Sequence, residues 1–149
     1  AVASGRSGNL SFAAYALPAL RAFLAWRPPA LALAIDGAPL PGGPWGWVLA
    51  ANLGLYAYGM RLGAGIAPDD GVLDLLALRA RSRLAFLRFF LGAHAGILER
   101  MADLTRVRTR GRVELAATPG VPVQIDGDPG GAAPVAIQLE PGRARLLIP

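Results

Sequence analysis

Turn dipeptides cut this chain into pieces that suit strands better than long helices. Asp36-Gly37, Asp70-Gly71 and Asp126-Gly127 each border an apolar run, and Gly-Gly and Pro-Gly pairs do the same further on. Glycine accepts the positive φ of a tight turn, and aspartate can hydrogen-bond the backbone that follows it, so such pairs mark chain reversals. Between them lie runs that read as strands: Leu31 to Ile35, Trp45 to Leu55, Val72 to Leu78, Thr105 to Leu115, Val121 to Ile125, Val135 to Leu139 and Ala144 to Ile148. The first two, joined by the loop from Pro39 to Pro44, read as a hairpin. Tyr56 to Pro68 holds Gly59, Gly63 and Gly65 and reads as an exposed loop or a bulged strand. Ala1 to Asn9, small and polar, reads as a loop.

Two segments have helical spacing. Leu10 to Trp26 carries Phe12, Tyr15, Leu20, Phe23 and Leu24; Pro18 predicts a kink or a start near it, and Pro28-Pro29 stops the helix. Arg79 to Asp103 is the longer helix, with Leu84, Leu87, Phe90, Leu91, His94, Ile97, Leu98 and Met101 on one broad face. His94 on that face is expected to be buried and hydrogen-bonded. Gly92 and Gly96 weaken the helix or mark close packing. The fold class this implies is α+β and strand-dominated: an antiparallel two-sheet β-sandwich with one long and one shorter helix, in a single domain over residues 1–149.

Apolar residues make up 54% of the sequence, yet no apolar run reaches the roughly 18–20 residues a spanning helix needs. Ala1 to Leu10 lacks a basic start followed by an apolar core, so no secretory signal is read there. The net charge of +5 comes from fifteen basic residues, all arginine, and favours anionic partners. Zero cysteine excludes disulfides and thiolate zinc sites and fits a reducing compartment. Arg106, Arg108, Arg110 and Arg112 point one way from a strand while Val107 and Val113 face the other. That row is a solvated face or one that meets anionic lipid. Nucleic acid is not expected, because no aromatics interleave with the basic residues. Trp45 and Trp47, two apart on one strand face, read as core, with an interfacial anchor near membrane as the alternative.

The candidate chemistry lies in Val121 to Pro129, V-P-V-Q-I-D-G-D-P. On spacing alone, Asp126 and Asp128 flank a common hairpin turn; equally, two carboxylates placed by a strand can hold a metal or take a proton from a hydroxyl. Asp70 in Asp-Gly-Val-Leu-Asp carries the same ambiguity between turn and ligand.

Taken in order, several motifs resemble the C-terminal domain of the bacterial diacylglycerol kinase-like lipid kinases, relatives of the sphingosine kinases. They are Ala13 and Tyr15, Ile35-Asp36-Gly37, Asn52 before a glycine-rich stretch ending at Gly59, Asp70-Gly71-Val72-Leu73-Asp74, Gly92-Ala93-His94, Val123 to Pro129, and Arg145 to Pro149. The resemblance implies transfer of the γ-phosphate of ATP to a lipid hydroxyl such as that of diacylglycerol. Asp128 stands where the family's Asp-Gly-Glu carries its general base, and Asp126 shapes the turn or assists. Asp70, with the Val72 carbonyl, stands at a position that binds Mg2+ away from the chemistry. The family's nucleotide loop, Gly-Gly-Asp-Gly-Thr, is not in this sequence, and neither G-x-x-x-x-G-K-[ST] nor G-x-G-x-x-G occurs. The expected partners are therefore a lipid substrate and the protein's own N-terminal nucleotide-binding domain, which would bind ATP; the isolated fragment is expected to be inactive. The expected location is the cytoplasm, with peripheral contact at the inner membrane face and a homodimer both left open. A reading from another class is a catalytically inactive lipid-binding or interaction module, and a third is a kinase of a nicotinamide nucleotide.

Overall fold

The computed structural model describes residues 12–117 and 120–142. The expected loop over Ala1 to Asn9, the strand over Ala144 to Ile148 and the motif Arg145 to Pro149 lie outside the described residues. Helix α1 spans Phe12–Ala25, running through Pro18 rather than starting there, and stops ahead of Pro28-Pro29. Strand β1 (Ala32–Ile35) reverses at Asp36 and Gly37, whose φ values are 50° and 78°, into the short β2 (Ala38–Pro39). Two positive φ values in a two-residue loop suit the right-handed twist of the flanking strands.

Strand β3 is Trp47–Ala51, and the glycine-rich stretch after it forms a small hairpin of β4 (Leu55–Tyr56) and β5 (Met60–Arg61). Strand β6 (Leu73–Leu78) leads to helix α2 (Arg83–Ala95), and a 3₁₀ turn over Leu98–Arg100 leads to β7 (Leu104–Thr109). The rest is strand: β8 (Val113–Ala116), β9 (Pro122–Ile125), β10 (Asp128–Ala132) and β11 (Val135–Ile137). One sheet has the order β11-β8-β1-β2 and a second β3-β6-β7; all pairings are antiparallel. No helix among the described residues is long and apolar enough to cross a membrane.

Strand β6 is the centre of the molecule, buried along its whole length and paired on both edges. Alternation sends its odd residues, Leu73, Leu75 and Ala77, into a core with Leu33 and Val113 from the other sheet and with the bridged pair Leu31 and Trp45. Its even residues Leu76 and Leu78 face the opposite way, into a second core with Phe89 and Ala93 of α2, Leu98, Met60 and Leu62. The middle sheet thus has the first sheet on one face and a helix on the other.

Several expectations change. Strands β1 and β3 do not form a hairpin: among the described residues their segments pair only at the Leu31–Trp45 bridge just outside both strands, and β3 joins β6 instead. The chain bends at Gly46, where a side chain would stand 2.3 Å from the Ala80 carbonyl oxygen. Consequently Trp45 and Trp47 serve different cores, Trp45 fully buried in one and Trp47 packed 4.7 Å from Phe89 in the other.

The long helix ends eight residues before Asp103. Gly96 takes φ 68°, its N–H bonds the Ala93 carbonyl, and the Ile97 N–H bonds the Gly92 carbonyl; this is a Schellman closure. Leu98 and Met101 therefore do not extend the helix face. Its packing side is Phe86, Phe89, Phe90 and Ala93, while Leu84, Leu87, Leu91 and His94 are exposed. His94 keeps a hydrogen bond, Nδ1 to the Phe90 carbonyl at 2.9 Å, but not the burial.

Finally, the arginine row does not share one strand: Arg106 and Arg108 are on β7, while Arg110 and Arg112 lie in the bend between β7 and β8. The break falls at Gly111, which packs so closely on the Asp36 carboxylate that a Cβ would lie 2.1 Å from it.

Candidate functional site

Two places carry the expected chemistry, and they lie on different sheets. The first grows from the parity of β6. Asp74 shares a face with Leu76 and Leu78 and is the one buried charged residue among those described. A buried carboxylate is tolerated only when cations meet it. Register supplies them: Asp74 stands opposite Arg108 and Leu76 opposite Arg106 on β7. Arg106 Nε donates to Asp74 Oδ1 at 2.7 Å, and Arg108 Nε lies 3.7 Å from Oδ2, beyond hydrogen-bond reach.

Both arginines reach further. Arg106 Nη1 donates to the Ala64 carbonyl at 2.8 Å and lies 3.4 Å from Glu99 Oε1, which itself accepts the Ala64 N–H at 3.1 Å. Glycine at 63 is required by this approach, since a Cβ there would sit 2.8 Å from Arg106 Nη1. Arg108 Nη2 donates to Asp70 Oδ2, Asp70 Oδ1 accepts the Val72 N–H at 2.9 Å, and Arg110 Nη2 donates to the Asp70 carbonyl at 3.3 Å. One polar chain thus ties the Asp70 turn, the loop at 63–65 and the 3₁₀ turn to the edge of the middle sheet. A cleft of about 190 Å³ lies beside Arg106 and Glu99, lined also by Leu62, Leu98 and Leu104. A second of about 380 Å³ lies between the Asp70 turn, Arg110, Leu139 and Pro141.

This arrangement bears on the expected Mg2+ position. Magnesium demands several oxygen donors in near-octahedral order. Asp70 offers a single carboxylate whose two oxygens already accept from Val72 and Arg108, and Arg110 is bonded to its carbonyl. No group of three or more His, Cys, Asp or Glu side chains placed to hold a metal gathers among the described residues. As arranged, the Asp70 carboxylate is engaged by protein donors rather than turned toward a divalent cation.

The second place is the β9–β10 hairpin. Asp126 has φ 48° and Gly127 φ 97°, and Asp128 opens β10 opposite Ile125. The dihedrals are those of the two-residue turn that Asp-Gly favours. Gly130 lets Ile125 lie close, because a Cβ there would stand 2.7 Å from its Cγ1. The two strands form their own sheet, sharing no ladder with the other two. Asp126 and Asp128 are both exposed, and neither is in an ion pair among the described residues. The tip presents two carboxylates to whatever approaches it, on a turn whose geometry is locally determined.

The chain matches the family described as the YegS C-terminal NAD kinase beta sandwich-like domain over residues 3–148, nearly its full length. It belongs to that family. Its fold also resembles solved structures from Bacillus anthracis strain Sterne. One, a diacylglycerol kinase, has 17% identity and a TM-score of 0.62 over 84% of this chain and 43% of its own. Two candidate diacylglycerol kinases have 16% and 15% identity and TM-scores of 0.60 and 0.56, covering 83% and 95% of this chain. This chain spans less than half the length of each, 41%, 43% and 49%. No curated protein matches it in sequence. The match is thus to a C-terminal domain, with a fold shared by these three solved structures.

Sequence reasoning missed Asp74 and Glu99. A signal for Asp74 existed: a lone aspartate inside V-L-D-L-L-A-L, at the parity of a core face, requires a cationic partner.

Proposed function

We propose that this domain is the lipid-substrate side of an ATP-dependent lipid kinase that phosphorylates a lipid hydroxyl. Asp128 accepts the hydroxyl proton as the oxygen attacks the γ-phosphorus; the bond to the bridging oxygen breaks and ADP leaves. Asp126 shapes the turn that presents Asp128. ATP, with Mg2+ to neutralise phosphate charge, enters from an N-terminal nucleotide-binding domain, and no step is routed through Asp70. The observation that carries the reading is the Asp126-Gly127-Asp128 tip: two exposed carboxylates outside any ion pair among the described residues, on a turn defined by its own dihedrals. A general base needs such freedom, since it must come within hydrogen-bond reach of the substrate hydroxyl.

The test is phosphate transfer from labelled ATP to a lipid panel by the full-length protein, wild type beside Asp128→Asn. The expected loss is on the order of 10²-fold or more with lipid affinity retained. Transfer at near wild-type rate in the variant removes Asp128 from the mechanism. A well-folded protein that transfers to no lipid is a binding module instead.

A further inference from the structure

The outward face of α2 is the reverse of what a solvated helix shows. Phe86, Phe89, Phe90 and Ala93 turn inward, so the opposite arc runs from His94 through Leu87, Leu91 and Leu84 to Arg88. Leu84, Leu87 and Leu91 are 66%, 41% and 62% exposed. Leucine therefore occupies the centre of the exposed arc, where charge normally sits, and cationic or titratable groups occupy its borders. The charge around it has one sign. From Leu75 to Leu98 there is no acidic residue, while Arg81, Arg83 and Arg88 are exposed and outside any ion pair among the described residues.

The neighbouring helix repeats the pattern. Leu17, Leu20 and Leu24 of α1 are 53%, 52% and 54% exposed, with Arg21 among them and no acid from Phe12 to Arg27. The helices adjoin: Trp26 packs on Phe86 at 4.7 Å, and Arg83 Nε donates to the Trp26 carbonyl at 3.0 Å.

We propose that the α2 face is a docking surface for an anionic phospholipid bilayer, lying in the interface with Leu84, Leu87 and Leu91 inserted and Arg81, Arg83 and Arg88 on the headgroups. An apolar arc bordered by arginine, with no carboxylate to repel the surface, matches what an interfacial helix requires. The aromatic layer beneath (Trp26, Trp47, Phe86, Phe89 and Phe90) seats the helix on the middle sheet, so insertion needs no rearrangement. The surface lies apart from the features expected to meet lipid. Arg106 and Arg108 are engaged with Asp74 and Asp70, and Trp45 is core. The proposal stands whether or not the full-length protein transfers phosphate.

The test is flotation of the full-length protein with vesicles of phosphatidylcholine alone or mixed with phosphatidylglycerol, beside thermal melts. Wild type is expected to float with the mixed vesicles and not with neutral ones. The variant Leu84→Gln, Leu87→Gln, Leu91→Gln should lose at least about tenfold in partitioning while melting with wild type, since each inserted leucine contributes on that scale. The variant Arg81→Gln, Arg83→Gln, Arg88→Gln should lose the preference for phosphatidylglycerol and its salt dependence. Wild type that does not float, or a leucine variant that floats as well as wild type, overturns the proposal. So does a leucine variant that melts several degrees lower, because the face is then covered by protein, the other half of the chain or a second copy.

Discussion

Asp74 shows how one residue commits its surroundings. Its carboxylate is fully buried, Oδ1 bonded to Arg106 and Oδ2 facing Arg108 without a hydrogen bond. Replacing it with alanine leaves Arg106 half-buried beside apolar neighbours, with nothing to balance its charge. Breaking a buried pair from one side typically costs about 3–5 kcal/mol. Asp74→Ala should fall in that range by urea unfolding; a loss under about 1 kcal/mol would mean that water already screens the site. Asp70 makes the opposite prediction. Because Arg108 and Val72 occupy its oxygens, melting without nucleotide should differ by less than about 1 °C between saturating Mg2+ and chelator. A rise of several degrees that Asp70→Asn abolishes would establish a resident cation there.

At the scale of elements, termini and close approaches decide more than propensity. Helix α2 starts at Ser82, whose Oγ accepts the Ala85 N–H at 3.3 Å. Ser82→Ala should destabilise by about 1 kcal/mol, read from the unfolding midpoint. Gly46→Ala should do more, about 1–3 kcal/mol, because the new Cβ meets the Ala80 backbone rather than a movable side chain. If Gly46→Ala melts with wild type, the close contact between the Trp45 bend and the end of β6 is wrong. The helix also shows where pattern reading slipped. Leu84, Leu87 and Leu91 have core periodicity, but the phenylalanines at 86, 89 and 90 take the core. Two apolar arcs on one helix cannot be ranked from periodicity alone, because it does not say which arc has a sheet to pack on. Gly96 was readable as a stop, since glycine supplies the left-handed conformation that closes a helix.

Across the whole molecule, the proposed kinase reading assigns the nucleotide to another domain. The isolated chain should therefore transfer no measurable phosphate to a lipid that the full-length protein phosphorylates, and turnover by the domain alone would refute that division. Much was legible before any coordinates. The turn pairs, the strand content and the Asp126-Gly127 hairpin follow from local chemistry, because glycine at positive φ and alternating side chains act within a few residues. The ordered motifs also indicated the family. Sheet membership and side-chain pairing required the tertiary structure. Strand β3 left β1 for β6, Arg106 met Asp74 across 32 positions, and the Arg112 N–H met Asp36 across 76. Alternation states which side chains share a face of a strand but not which strand lies alongside. That choice rests on burial summed over both faces of β6, a quantity that exists only once distant segments are packed together.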